Sequence, residues 1–299
     1  MKTALILFST MSLLVAGCGP KKYADGHTDA DHAANVSGAK TTGDHAGMAG
    51  MDMGSSHSGA PTMKLALAET GPLSVGRSQD ISLTLTNIAS GKVMGDADLA
   101  LAHTKKLHLL IVDGSLTDYQ HIHPLPDPAT PGRWQFTFAP KFARTYKVWA
   151  DVTLPDGHQE YIGTDLVAGR EKAPLPDKVP TLIATADGLK FTLSFSQPLK
   201  VGQAAQGRID VIDIKTGKSF AGLQPIMGAF GHIVAFAGDW NSIEHVHPLG
   251  TEPKSEGERS GPTINFHIQP EEAGVLKLFA QIRANGRETI VPFTANVAP

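Results

Sequence analysis

The fold is predicted mainly from residues 107–152, LHLLIVDGSLTDYQHIHPLPDPATPGRWQFTFAPKFARTYKVWADV. This stretch is repeated, in altered form, at residues 231–282. In each copy one histidine is followed, after twelve intervening residues, by the motif H-x-H-P-L. Each copy then runs through an alternating segment to a proline and on to Y-K-V-W-A or L-K-L-F-A. A repeat of this length predicts two copies of one domain.

Short runs of alternating polar and apolar residues fill both copies. The runs at 80–86 and 134–138 have the period of two that is typical of half-buried strands. Turn-forming pairs such as Asp113-Gly114 and Asp156-Gly157 separate such runs, and no long amphipathic helical pattern occurs. The sequence therefore predicts an all-β protein with two tandem immunoglobulin-like β-sandwich domains.

Composition divides the chain into five predicted segments. The N-terminus has the charged start and short apolar stretch of an export signal, and a Gly-, Ala- and Ser-rich region without periodicity follows it. The segments are a lipoprotein signal peptide (1–17), a disordered His/Met-rich tether (18–62), a first sandwich (63–169), a Pro-rich linker (170–180) and a second sandwich (181–299).

The signal segment ends in Val15-Ala16-Gly17-Cys18, which resembles a bacterial lipobox. This resemblance implies cleavage before Cys18 and attachment of lipid to its thiol. Gly19 as the second mature residue implies the outer membrane, so we expect a protein anchored at the periplasmic face of the bacterial envelope. Cys18 is the only cysteine, which excludes disulfides and thiolate metal sites from the domains.

The net charge of −3 argues against nucleic acid as a partner, because phosphate recognition requires a basic surface. The expected contacts are the membrane, through the lipid, and a metal transporter or efflux component. We find no motif of a nucleophile, a phosphate-binding loop or paired catalytic carboxylates, so no enzyme activity is predicted.

The repeated histidines are the first candidate metal ligands. Residues two apart on a strand share a face, and a hairpin centred near residues 114–115 would place His108 opposite His121. Three imidazoles on one face of a sheet suit Zn²⁺ or copper. The predicted ligands are His108, His121 and His123 in the first domain and His232, His245 and His247 in the second.

A fourth ligand is suggested five residues before the first histidine of each copy. His103 stands there in the first copy and Met227 in the second, and each would have to enter from a loop or bulge. A thioether ligand favours Cu(I).

The tether carries a second, weaker set of candidate ligands: His45, Met48, Met51, Met53 and His57. This segment resembles the Met/His-rich segments of periplasmic copper-resistance and copper-export proteins. Thioether and imidazole together suit Cu(I) and Ag(I), and methionine is an unusual residue for a merely solvated spacer.

Two other interpretations compete with a non-catalytic metal site in the domains. The repeated histidines can be inherited structural residues that hydrogen-bond nearby carbonyls, since a lone H-x-H is weak evidence of ligation. A catalytic metal centre like that of copper, zinc superoxide dismutase does not fit, because that family needs a disulfide and a zinc loop.

The two domains resemble exported bacterial proteins with immunoglobulin-like domains of the YtkA type. The residues that carry the resemblance are 106–112, 121–124 and 146–151 in the first copy and 227–232, 245–248 and 279–281 in the second. The resemblance implies the fold and an association with heavy-metal handling, but no specific activity.

The expected function is therefore an envelope lipoprotein that binds copper, as Cu(I) or Cu(II), with zinc or silver as alternatives. The role would be buffering, delivery or detoxification. The alternative is a protein-interaction module that docks an envelope transport or efflux component and has structural histidines.

Overall fold

A computed structural model describes residues 61–244 and 246–299, apart from the side chain of His247. The predicted signal peptide and nearly all of the predicted tether, with Cys18 and the tail ligands His45, Met48, Met51, Met53 and His57, lie outside the described residues. His245 lies outside them as well.

The first repeat folds into nine strands. They are β1 Met63–Glu69, β2 Gln79–Asn87, β3 Val93–Met94, β4 Leu107–Asp113, β5 Tyr119–Ile122, β6 Leu125–Pro126, β7 Arg133–Phe138, β8 Thr145–Thr153 and β9 Gln159–Val167. One 3₁₀ turn, Asp96–Asp98, precedes β4.

The second repeat folds into ten strands. They are β10 Ile183–Ala186, β11 Leu189–Phe195, β12 Ala205–Asp213, β13 Leu223–Gln224, β14 His232–Ala237, β15 Ile243–Glu244, β16 Val246–Leu249, β17 Thr263–Ile268, β18 Gly274–Ala284 and β19 Arg287–Val297. No helix in the described part of the chain is long and apolar enough to cross a membrane.

Each repeat is a sandwich of two antiparallel sheets. In the first domain one sheet has the order β1-β2-β7-β6, with β3 also on β2, and the other has the order β5-β4-β8-β9. In the second domain the sheets are β10-β11-β12-β17-β16 and β15-β14-β18-β19, with β13 alongside the end of β18. The all-β class and the tandem immunoglobulin-like domains are confirmed.

A separate apolar core fills each sandwich. Trp134, Phe138 and Tyr146 are among the buried side chains of the first core, and Phe266 and Phe293 are among those of the second. Apolar burial of this extent explains why neither domain requires a disulfide to fold.

The two domains pack against each other through a third apolar cluster. It consists of six pairs of residues that the repeat makes equivalent: Leu110 and Val234, Val112 and Phe236, Leu116 and Trp240, Tyr119 and Ile243, Trp149 and Phe279, and Tyr161 and Ile290. All twelve lie on or beside the β5-β4-β8-β9 sheet or its counterpart β15-β14-β18-β19. The same face of both domains is therefore buried in the contact.

The hairpin of β4 and β5 is centred one residue later than the sequence predicts. Leu110, not His108, pairs with His121. The prediction was wrong because the loop at 114–118 is longer than a tight turn: Asp113 N–H donates to Asp118 O, and Leu116 takes a positive φ of 57°. The register shifts by two residues, so His108 and His121 stay on the same face of the sheet.

Candidate metal site

The alternation of strand β4 decides where its histidine lies. Leu109 and Ile111 point into the core of the first sandwich, whereas Leu110 packs against the second domain. His108 is two residues before Leu110 on the same strand, so its side chain lies on the same face and points towards the second domain. On β5, His121 follows the same rule, because its neighbour Ile122 packs against the first core.

The imidazole nitrogens of His108, His121 and His123 converge on one point. His108 Nδ1 lies 3.2 Å from His121 Nε2 and 3.1 Å from His123 Nε2. One nitrogen from each ring lies within 4.8 Å of the other two. The structure thus brings together the three histidines that the sequence singles out in the first domain.

Hydrogen bonds set the tautomers of two of these rings. His108 Nε2 donates to the carbonyl of Ala102 at 2.9 Å, and His121 Nδ1 donates to Gln281 Oε1 at 2.9 Å. The remaining nitrogens, His108 Nδ1 and His121 Nε2, therefore present lone pairs to each other. Two lone pairs at that separation repel unless a proton or a cation lies between them.

Burial keeps the three imidazoles neutral at pH 7. It is the largest cause of the lowered pKa of His108, and together with the nearby His108 it lowers the pKa of His123 to about 4. Burial, His108 and His123 hold the pKa of His121 well below its usual value. Neutral imidazole is the form that binds a metal ion.

Gln281 is a site residue that the ligand pattern does not reveal. It lies on β18 of the second domain, where it pairs with His232 in the strand register, and its side chain crosses to His121 of the first domain. The position is equivalent to that of Asp151, which pairs with His108. The repeat alignment could have located this position, but not its contact across the interface.

The proposed fourth ligands occupy equivalent tight turns. His103 and Met227 both have positive φ, 47° and 49°, in turns closed by the bridges Ala102–Lys105 and Ile226–Ala229. As expected, both residues lie in a loop and not on a regular strand. The ring of His103, however, lies nearer to His232 of the second domain, with 4.9 Å between ring centres, than to His108, at 6.2 Å.

His232 is anchored in the same way as its first-domain counterpart. Its Nε2 donates to the carbonyl of Met227 at 3.0 Å, as His108 Nε2 does to Ala102. Burial and the neighbouring His103 lower the pKa of His232 to about 4. Of its predicted partners, His245 and the side chain of His247 lie outside the described residues.

A cavity of about 270 Å³ lies between the domains beside these rings. His103, His108, His121 and His232 line it, together with Asp151, Tyr161, Glu252 and His267. The sequence pattern gave His267 no role, since the first copy has no equivalent histidine.

The three-histidine cluster fits a transition metal ion. Bonds of about 2.0–2.1 Å in tetrahedral geometry place two ligand nitrogens roughly 3.3 Å apart. The two separations from His108 Nδ1, 3.2 and 3.1 Å, are close to that value. Hydrogen bonds that orient ligating histidines through their second nitrogen are the usual surroundings of such a site.

The chain belongs to the family described as "Domain of unknown function (DUF8832)", whose model matches residues 59–168 and 184–299. The two matched regions correspond to the two repeats, which confirms the duplication. The resemblance to YtkA-type proteins and the association with heavy metals stay predictions. No curated protein matches the chain.

Among solved structures, the chain is similar to domains 4 and 5 of the S-layer protein SbsC, at 14% identity over 79% of this chain and 98% of that one, with a TM-score of 0.22. It is also similar to the D00-D0 domain of Intimin, at 11% identity over 77% and 98%, with a TM-score of 0.21. The adhesin InvE of Yersinia pseudotuberculosis aligns at 12% identity over 79% and 59%, with a TM-score of 0.23.

Proposed function

We propose that the folded part of this protein binds a copper ion through His108, His121 and His123. The observation that carries the proposal is the pair of opposed lone pairs on His108 Nδ1 and His121 Nε2, 3.2 Å apart. His108 Nε2 is hydrogen-bonded to the backbone carbonyl of Ala102 and His121 Nδ1 to Gln281 Oε1, so a change of tautomer in either ring would break a bond.

Three neutral imidazoles suit Cu²⁺, Cu⁺ and Zn²⁺, and copper has the highest affinity for such ligands among the common divalent metals. The Met/His pattern of residues 45–57 favours Cu(I) or Ag(I), which supports copper over zinc as the ion bound by the protein. The proposed role is buffering, delivery or detoxification of copper without chemical turnover. A lipid on Cys18 would hold the protein at the periplasmic face of the envelope, within reach of a transporter or efflux component.

Calorimetric titration with Cu(I), Cu(II) and Zn(II) tests the proposal on a soluble form of residues 19–299. The comparison is with a variant that carries alanine at His121 and His123. We expect the variant to lose one equivalent of metal, while any binding by the tail remains in both proteins. The matched control is His158→Ala, since His158 is a half-exposed first-domain histidine paired with Glu160 and remote from the cluster in sequence.

Equal stoichiometry and affinity in the two proteins would overturn the proposal. The competing interpretation, structural histidines in an interaction module, predicts a different result. In that case the double variant would lose thermal stability in the presence of a chelator, and the wild-type melting temperature would not respond to metal.

A further inference from the structure

We propose a second metal site, formed across the domain interface by His103 of the first domain and His232 of the second. The sequence pattern assigns these two residues to separate sites, one in each domain. In the structure their rings are 4.9 Å apart and nearly perpendicular, at 82°. The inference rests on the proposed function only in that both concern transition metal ions. The experiment below distinguishes a failure of this inference from a failure of the proposed function.

The ring separation is that of two imidazoles that share an ion. With metal–nitrogen bonds of about 2.0–2.1 Å and tetrahedral angles, two ring centres lie roughly 5 Å apart. The three pairs within the first cluster have centres 5.4, 4.8 and 4.8 Å apart. The pair of His103 and His232 therefore has the spacing of the cluster for which metal binding is already proposed.

The backbone holds both rings in place. His232 Nε2 donates to the carbonyl of Met227, which leaves the lone pair on Nδ1. His103 and Thr104 both have positive φ, so a tight turn presents the His103 ring from the tip of a short hairpin. The two equivalent turns meet at the interface: a Cβ at Gly228 would lie 3.9 Å from Thr104 Cγ2.

The surrounding charges favour a cation over an anion. Asp151 and Glu252 line the same cavity as the two rings, and their negative charges act on His103. Among the described residues the three-histidine cluster is the group of three or more candidate ligands that converge within 4.8 Å, so Asp151 and Glu252 contribute negative charge here and the protein ligands are the two imidazoles. Among the described residues that line the cavity there is no lysine or arginine.

An ion at this site would join the two domains. The His103 ring is 6.2 Å from that of His108, so the second ion would lie next to the three-histidine site but use different ligands. Each domain supplies one imidazole, and neither domain could form the site alone. Metal binding would then stabilise the domain contact in addition to the apolar cluster.

The test counts metal equivalents in the full chain, with Zn²⁺ as a redox-inert probe and Cu⁺ in parallel under a competing chelator. The variants are His103→Ala, His232→Ala and the double variant, and His158→Ala is the control. All carry the same N-terminal segment, so differences between them come from the folded domains. Circular dichroism without metal checks the fold, and His232→Gln replaces a variant that does not fold.

We expect each single variant to lose one equivalent and the double variant to lose the same single equivalent. Residues of one shared site give this non-additive result, whereas residues of two independent sites give additive losses. A double variant that loses two equivalents, or single variants that lose none, would overturn the proposal. The pair of alanines at His121 and His123 should remove a different equivalent, and if it removes none the proposed function fails while this inference stands.

Protease resistance provides a second readout. In the wild type, bound metal should slow tryptic cleavage of the connector between the domains, at Lys172 or Lys178, at least several-fold. His103→Ala should lose that protection. Equal protection of wild type and variant would contradict an ion that bridges the domains.

Discussion

The hairpin β4–β5 of the first domain and the hairpin β14–β15 of the second have the same loop but hold it in different ways. In both, a backbone N–H bonds to a carbonyl five residues on, from Asp113 to Asp118 and from Ala237 to Ser242. In both, the third loop residue has a φ of 57°, Leu116 in one and Trp240 in the other. Each of these side chains enters the domain interface.

The polar groups beneath the two loops differ. The buried carboxylate of Asp113 accepts hydrogen bonds from the backbone of Ser115, Thr117 and Asp118 and pairs with Arg144 at 2.9 Å. The second domain has Ala237 at the equivalent position. The two loops therefore share a conformation and a place in the interface, and the charged network is present in the first copy without a counterpart at Ala237.

Asp113→Ala, which gives the first copy the residue of the second, is expected to have the largest effect. It leaves three loop N–H groups and the buried Arg144 guanidinium without this carboxylate. Breaking a buried ion pair from one side costs about 3–5 kcal/mol. Urea denaturation measures the loss, and Asp239→Ala in the exposed second loop is the control, with an expected change of about 1 kcal/mol or less. Similar losses in the two variants would show that the buried network is not what distinguishes the hairpins.

Phe279→Ala tests whether the shared interface stabilises both domains. The Phe279 ring stacks on Tyr119 of the first domain, with centres 4.5 Å apart. Truncating a buried aromatic side chain costs about 3 kcal/mol or more. Because the contact crosses the interface, we expect lower stability in both domains, detected by hydrogen exchange of β4 and β14. Loss of protection in β14 alone would mean that the domains are stabilised independently. A double-mutant cycle with Tyr119→Ala should show a coupling of about 0.5–1.5 kcal/mol.

Gln281→Ala removes the second-domain residue that orients His121. Outer partners of ligating histidines are worth about 10–100-fold in metal affinity, and we expect a loss in that range with an unchanged apo fold. Calorimetric titration measures it, and His158→Ala is the control, since His158 is half-exposed and pairs with Glu160. Unchanged affinity would remove Gln281 from the site without touching the three histidines.

Glu244→Gln is expected to have the smallest effect. The first copy has Gln120 at this position, where its amide donates to the carbonyl of Ala139. Burial, and then the nearby charges of Glu271 and Glu272, raise the pKa of Glu244. A raised pKa means that the stability from this group is present below its unfolded pKa and is lost as pH rises through its folded value.

The substitution should therefore raise the melting temperature at pH 7 to 8, on the order of 2–4 °C, and leave it unchanged near pH 4. Thermal melts at several pH values measure the difference. Gln120→Glu is the reciprocal control, expected to lower stability at neutral pH. A pH-independent effect in Glu244→Gln would assign the change to packing rather than to charge.

The repeat and the period-two alternation were sufficient to predict the fold and the two domains. They were also sufficient to place His108, His121 and His123 on one face, because a strand offers only two faces. The exact register depended on the loop at 114–118, whose length is defined by the backbone hydrogen bond from Asp113 N–H to Asp118 O and the positive φ of Leu116.

The relation between the domains could not be predicted from the repeat. Local patterns report which residues share a strand face, but not which surface covers that face. The contact of His121 with Gln281 and the approach of His103 to His232 both arise from domain packing, so the pattern divided these residues between separate sites.

The third apolar cluster, which joins the domains through six pairs of equivalent residues, has an evolutionary consequence. Each residue that one copy contributes has its counterpart contributed by the other, as in an isologous dimer with two-fold symmetry. Before the gene duplicated, the same surface could have held two identical single-domain chains together. Fusion then freed the two halves to diverge, so that one subunit-like half could supply a glutamine to orient the histidine of the other.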